Sequence, residues 1–149
     1  MPEILLSQSE ADSLISMEKI KVDNTSWEYP ALGGQISIPL LSRNKRESFS
    51  LDISRGKINL SKGSYQNRTL QVVILLRLDF AGPPHRNPDN VEILSPHLHI
   101  YREGFGDKWA IPLPREYFSD TSNMRQLLDD FMRYCKIIEP PNIQEGLFS

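Results

Sequence analysis

The chain has one cysteine, Cys135, in 149 residues. That excludes an internal disulfide and fits a reducing, cytoplasmic compartment. Charge of one sign is also scarce. Seventeen Lys and Arg stand against nineteen Asp and Glu, a formal net charge of −2, so no global field draws the chain to nucleic acid or membrane. No apolar run approaches the roughly 20 residues of a membrane span; the longest, Val72 to Leu76, is strand-sized. The opening MPEILLSQSEADSL puts no basic residue ahead of its short apolar stretch, so no signal peptide is predicted. There is no G-x-x-x-x-G-K-S/T phosphate loop and no G-x-S-x-G nucleophile elbow. Internal repeats and low-complexity tracts are missing as well. Histidine is sparse too, with three in all, and two of them, His97 and His99, are one residue apart.

What is present reads as one domain spanning 1–149, long enough to bury a core without staples. Ser7-Gln8-Ser9-Glu10 has the form of a capping box, and Ala11, Leu14 and Ile15 follow at helical spacing up to about Lys19. After Tyr29-Pro30 and Gly33-Gly34 come period-two sets: Ile36, Ile38 and Leu40; Phe49, Leu51 and Ile53; Ile58 and Leu60. Pro39 suggests an edge position for the first set. Ser54-Arg55-Gly56-Lys57 predicts a tight hairpin between the second and third. Gly63 to Asn67 reads as a polar connection. Leu70 to Phe80 is apolar on both faces for most of its length, which predicts a central strand; near its end Arg77 and Asp79 point away from Leu76, Leu78 and Phe80. Ala81 to Asn90, AGPPHRNPDN, predicts a conformationally restricted loop.

In the following strand Leu98 and Ile100 are expected to face the core, with His97, His99 and Tyr101 on the other face. Glu103 to Gly106 forms a turn, Lys108 to Ile111 returns, and Pro112 and Pro114 end it. Met124, Leu127, Leu128, Phe131 and Cys135 recur at three and four, an amphipathic helix with Asp120, Thr121 and Ser122 available as caps. Pro140-Pro141 stops it, and Ile143, Leu147 and Phe148 are expected to pack back. The fold class is therefore α+β: a mainly antiparallel sheet of five to seven strands with an N-terminal and a C-terminal helix.

Charge is uneven along the chain. Residues 41–70 carry seven bases and two acids, while residues 1–40 and 116–149 are net acidic. The basic hairpin with Arg55 and Lys57 is either a solvated face or a grip on an anionic partner.

Three readings fit the H-x-H strand. The histidines can be half-exposed strand residues that bond the PPHRNPDN loop and hold it in place. They can share a metal ion with His85, with an oxygen from Asp79. Or they can be an acid–base pair, because imidazole titrates near neutral pH and one ring accepts a proton while another donates. If the strands of Arg77 and His97 are neighbours, Arg77, His97, His99 and Tyr101 share a face. His85 and Arg86 then overhang it, with Lys108 in reach. Histidines beside cations suit metal-free RNA cleavage, in which the 2′-OH of the substrate attacks and Arg or Lys stabilises charge on the phosphoryl oxygens. Cys135, on the apolar face of the last helix, reads as core.

The blocks SRGKINLSKGSYQNR, RLDFAGPPHRNPDN, PHLHIYREGFGDKWA and DFMRYCKIIEPPNI carry a resemblance. Through them the chain resembles an uncharacterised bacterial protein family along nearly its whole length. The resemblance implies a compact intracellular bacterial protein and brings no reaction, substrate or site. The PPH loop with the H-x-H strand is similar, more locally, to small proteins encoded in toxin–antitoxin pairs.

The leading expectation is thus a small cytoplasmic protein acting on or binding RNA, such as a metal-independent, toxin-like endoribonuclease. His97, His99 and His85 are its candidate catalytic residues. Arg77, Arg86, Tyr101, Lys108, Arg55 and Lys57 are its candidate binding residues. No cofactor, metal or membrane is expected. The alternative is a non-catalytic interaction protein, an antitoxin or a phage- or defence-associated inhibitor, that grips a protein partner.

Overall fold

The computed structural model describes residues 5–57 and 63–144. The capping box forms as its sequence predicts. The Ser7 hydroxyl accepts from the Glu10 N–H at 3.1 Å, Glu10 Oε1 accepts from the Ser7 N–H at 2.9 Å, and helix α1 (Gln8–Ser16) follows.

Among the described residues, eight strands build the main sheet: β1 (Lys19–Lys21), β3 (Gln35–Ser42), β4 (Ser48–Arg55), β5 (Gly63–Thr69), β6 (Val73–Asp79), β9 (His97–Ile100), β10 (Ala110–Pro112) and β11 (Ile137–Glu139). Their order is β10-β9-β6-β5-β4-β3-β1-β11, antiparallel throughout except for the β1–β11 pair. Two small sheets accompany it. In one, β2 (Ser26–Glu28) pairs with β12 (Asn142–Gln144); in the other, β7 (His85–Arg86) pairs with β8 (Glu92–Ile93). The α+β class and the mainly antiparallel sheet are as expected, with eight strands in place of five to seven.

Period-two alternation gives the main sheet two unlike faces. Ile38, Leu40, Phe49, Leu51, Ile53, Tyr65, Leu76, Leu78 and Leu98 are buried in one core with Leu127, Leu128, Phe131 and Met132 of helix α2 (Met124–Tyr134). The opposite face is polar, and strand register aligns its side chains in two rows across five strands. One row runs Gln35, Ser54, Ser64, Asp79, His97; the other runs Ser37, Asp52, Gln66, Arg77, His99.

Several expectations change. Gly63 to Asn67 is strand, not connection. Its inward positions after Tyr65 are the polar Asn67 and Thr69, which donate to the Ser50 and Ser48 carbonyls at 3.2 and 3.1 Å, so the run lacks the aliphatic alternation that marks a strand. Ser54 and Arg55 are strand residues paired with Ser64 and Gly63 rather than a tight turn; Ile58 and Leu60 lie outside the described residues. Leu70 and Gln71 take left-handed φ values of 51° and 66° in the turn between β5 and β6, so β6 starts at Val73 rather than Leu70. Pro39 is in an interior strand, but β1 reaches only as far as Leu40, so Pro39 has a neighbouring strand on one side alone. Asn123 caps α2, accepting from the Gln126 N–H at 3.0 Å, instead of Asp120, Thr121 or Ser122. Ile143 packs in the core as expected; Leu147 and Phe148 lie outside the described residues.

Lys19 ties the two helices to the sheet. It is fully buried, and its ammonium donates to the carbonyls of Ile15 (3.1 Å), Met17 (2.9 Å) and Cys135 (2.8 Å), at the C-terminal ends of α1 and α2. Those ends carry partial negative charge. Burial nonetheless lowers the Lys19 pKa to about 8. Lys19→Met keeps the stem and removes the donors, and is expected to cost on the order of 3 kcal/mol in a urea titration, because three carbonyls lose their partner. Unfolded lysine titrates near 10.4, so between about pH 8 and that value the native chain binds fewer protons than the unfolded one. This lysine therefore makes stability rise with pH across that window, and Lys19→Met removes that part of the slope.

Candidate functional site

Strands β6 and β9 are neighbours, with Arg77 opposite His99 and Asp79 opposite His97. Asp79 Oδ2 stands 3.2 Å from Nε2 of both His97 and His99. Arg77 donates Nε–H to Asp79 Oδ1 at 3.1 Å and Nη1–H to Asp107 Oδ2 at 2.7 Å, and its Nη2 lies 3.1 Å from His99 Nε2.

The 81–96 segment folds over this cluster through the β7–β8 hairpin. His85 donates Nε2–H to the Lys108 carbonyl at 2.6 Å. The Asn87 amide donates to the Ala110 carbonyl at 2.9 Å and accepts the Ala110 N–H at 2.8 Å, as an extra strand residue would. Three imidazoles converge as a result. Ring centroids are 4.6 Å apart for His85–His99, 4.9 Å for His97–His99 and 5.9 Å for His85–His97. The expectation of half-exposed histidines fails: His97 is 3% and His99 1% exposed, because the hairpin covers them and Asp79, Arg77 and the 107–108 backbone take their polar edges.

A cavity of about 220 Å³ remains, lined by Asp79, His85, Ser95 and His97 with Pro83 and Pro84. His99 is behind it. A second depression of about 300 Å³ on the same polar face is lined by Gln35, Ser37, Ser54, Ser64 and Gln66 with Asp52 and Arg68. Ser64 pairs with Asp79 in register, so the two hollows are neighbours.

Hydrogen-bond chemistry fixes one tautomer. His99 Nδ1 is 2.8 Å from the Asp107 carbonyl, which only accepts, so Nδ1 carries the proton. A neutral His99 therefore turns the Nε2 lone pair toward Arg77. Ser95 Oγ lies 3.5 Å from His97 Nδ1 and 3.4 Å from the Pro83 carbonyl, and its hydroxyl can serve either tautomer of His97. His85 Nδ1 has no hydrogen-bond partner among the described residues. Burial raises the Asp79 pKa, but the His97 and His99 imidazoles and the Arg77 guanidinium outweigh it and hold the carboxyl well below the usual range.

Other candidates are dispersed. Tyr101 is past the end of β9 and packs in the core, where its hydroxyl donates to the Leu6 carbonyl at 2.8 Å and accepts the Leu6 N–H at 3.0 Å; it does not share the histidine face as expected. Arg55 is buried on the core side, donating to the Pro30 carbonyl at 3.0 Å with its guanidinium 5.5 Å from the Tyr29 ring. Lys57 is exposed. Arg86 is exposed and bonds the Asn90 carbonyl at 3.1 Å; Lys108 is exposed beside the carbonyl that holds His85. Cys135 is core as expected, and burial pushes its thiol up to about 12.

Sequence reading passed over Asp107 and Ser95 and gave Asp79 only a metal-ligand role. Asp79 carries a signal, an acid on the Arg77 face of a central strand. Asp107, in a glycine-rich turn, carries none. As a metal donor set, Asp79, His97 and His99 come within 4.8 Å of one another, so the third donor is Asp79 rather than His85.

A family model described as a family of unknown function, DUF6978, matches residues 6–137. The chain belongs to that family. The match spans every candidate residue above, and it agrees with the full-length resemblance seen in the sequence. No curated protein and no solved structure matches the chain. Among the described residues, no helix is long and apolar enough to cross a membrane.

The depressed Asp79 pKa sets an acid limb on stability. Its contribution is complete above the unfolded carboxyl value of about 4 and is lost as pH falls through the lower folded value. Asp79→Asn is expected to cost on the order of 2 kcal/mol at neutral pH and to flatten stability below pH about 4 in urea titrations across pH. An unchanged acid limb would mean that the carboxylate is not held as described.

Proposed function

We propose that this is a cytosolic RNA-binding protein that cleaves RNA without metal, at the cavity between the β7–β8 hairpin and strand β9. The observation that carries the reading is that His85 and His97 line one cavity while Asp79 orients His97. Two imidazoles on one hollow supply the base and the acid of a transphosphorylation. His97, its Nε2–H held by Asp79, takes the proton of the ribose 2′-OH. The 2′-oxygen bonds to phosphorus, the 5′-oxygen leaves, and His85, entering the step as imidazolium with its second proton on Nδ1, protonates it. The products are a 2′,3′-cyclic phosphate and a free 5′-hydroxyl.

His99, shut behind the cavity, positions Arg77 and Asp79 instead of transferring protons. Arg77 is committed to two carboxylates, so the phosphate contacts fall to the exposed Arg86, next to His85, and Lys108, whose carbonyl bonds His85. The neighbouring hollow offers hydroxyl and amide partners from Ser37, Ser54, Ser64 and Gln66 for the ribose hydroxyls of a bound strand.

A second reading is favoured by Val91, Leu94 and Ile111, which expose apolar side chains on the covering hairpin and the adjoining strand. They suit a protein partner gripped by a non-catalytic inhibitor.

The test is cleavage of single-stranded RNA with chelator present. Cyclic-phosphate ends are expected, DNA is expected to remain intact, and His97→Ala and His85→Ala should each lower the rate at least ~100-fold with thermal melts still cooperative. No cleavage by the wild type, or rates unmoved by both substitutions, rejects the enzyme reading. A protein that co-purifies with the wild type and with His97→Ala but not with Leu94→Asp would instead support the inhibitor.

A further inference from the structure

The acceptors around Asp79 exceed the donors that neutral histidines can offer. His99 gives its only proton to the Asp107 carbonyl, so its Nε2 lone pair faces Asp79 Oδ2 across 3.2 Å, acceptor against acceptor. The same holds for His97 when the Ser95 hydroxyl donates to Pro83 and His97 Nδ1–H donates to Ser95. With His99 neutral, a cation among these atoms offsets that opposition. In the structure Arg77 fills that need, with Nη2 3.1 Å from His99 Nε2 and 3.4 Å from Asp79 Oδ2. Yet the Arg77 side chain is about a quarter exposed, with a path to solvent, whereas both imidazoles are enclosed.

We propose that Asp79, His97 and His99 form a binding site for a divalent transition metal of the zinc class, and that the metal and the Arg77 guanidinium are alternative occupants of one place. Four ligands at 2.0–2.1 Å around zinc stand about 3.3 Å from one another; the two Nε2–Oδ2 separations are 3.2 Å, and all three donors lie within 4.8 Å, so small ring movements complete the spacing. Two nitrogens and one carboxylate oxygen are a common zinc donor set. His99 already has the outer hydrogen bond that metal-bound histidines use to fix the ring, from Nδ1–H to a backbone carbonyl. Asp79 and His97 also line the 220 Å³ cavity, which has room for a water as fourth ligand. The inference rests on the donor set and not on the RNA reading. Should both hold, a bound metal takes up His97 and Asp79 and stops acid–base turnover, so the metal acts as an off-switch.

The test is titration of chelator-stripped protein with Co2+, followed by visible absorption and by equilibrium dialysis. The wild type is expected to bind one Co2+ per chain with the intense band of a four-coordinate site, and Zn2+ should abolish the band. His99→Ala and Asp79→Asn are expected to weaken binding at least ~10-fold. Arg77→Ala removes the competing cation and is expected to tighten binding about 10-fold; a gain of that kind cannot come from misfolding. No saturable binding by the wild type overturns the proposal, even if Arg77→Ala binds. So does binding indifferent to both ligand substitutions. Because the readout is metal uptake, these results do not depend on whether RNA is cut.

Discussion

Asp79 holds one carboxylate oxygen 3.2 Å from two buried imidazoles and the other 3.1 Å from a guanidinium. Desolvating a carboxylate is costly unless its lone pairs are met, and the half-buried Asp79 is met by His97 on the adjacent strand and by Arg77 on its own. Arg77 in turn neutralises Asp107 in the turn before β10, and His99 bonds the Asp107 carbonyl. The turn, the two central strands and the covering hairpin are thereby tied to one charge cluster. Remove the carboxylate and two imidazoles and a guanidinium are left crowded on a low-dielectric face.

That cluster exists because the sheet has unlike faces. The core side is filled by aliphatic and aromatic residues of β3 to β9 against α2. The other side presents two polar rows, and the covering hairpin closes only the β9 end of them. What remains open is a polar trough beside an enclosed group of titratable side chains. In the proposed RNA cleavage, the enclosed end would transfer protons and the open end would hold the strand.

Much of this was legible in the sequence. Strict alternation in Phe49-Leu51-Ile53 and in Leu76-Leu78, the S-x-x-E box and the three-and-four spacing of Leu127, Leu128 and Phe131 each specify their element locally. The convergence of His85, His97 and His99 with Arg77 followed from assuming that two strands are neighbours. The burial of the histidines was not legible, because it depends on a 16-residue excursion, 81–96, folding back and bonding Lys108 and Ala110 through His85 and Asn87. β5 was hidden by its polar interior positions, and the Leu70–Gln71 turn by its apolar leucine. Arg55 misled because a basic residue beside a glycine looks exposed, whereas here its stem and guanidinium pack against Tyr29.

The central claim is that the Asp107 carbonyl fixes the His99 imidazole beside Asp79 in one proton state. Nitrogen-detected correlation of the histidine rings in alkaline buffer reads this directly. The account predicts that His99 is a single Nδ1–H tautomer, with a slowly exchanging ring proton correlated to the Asp107 segment. A His99 ring that averages between tautomers, or one that carries its proton on Nε2, would contradict it.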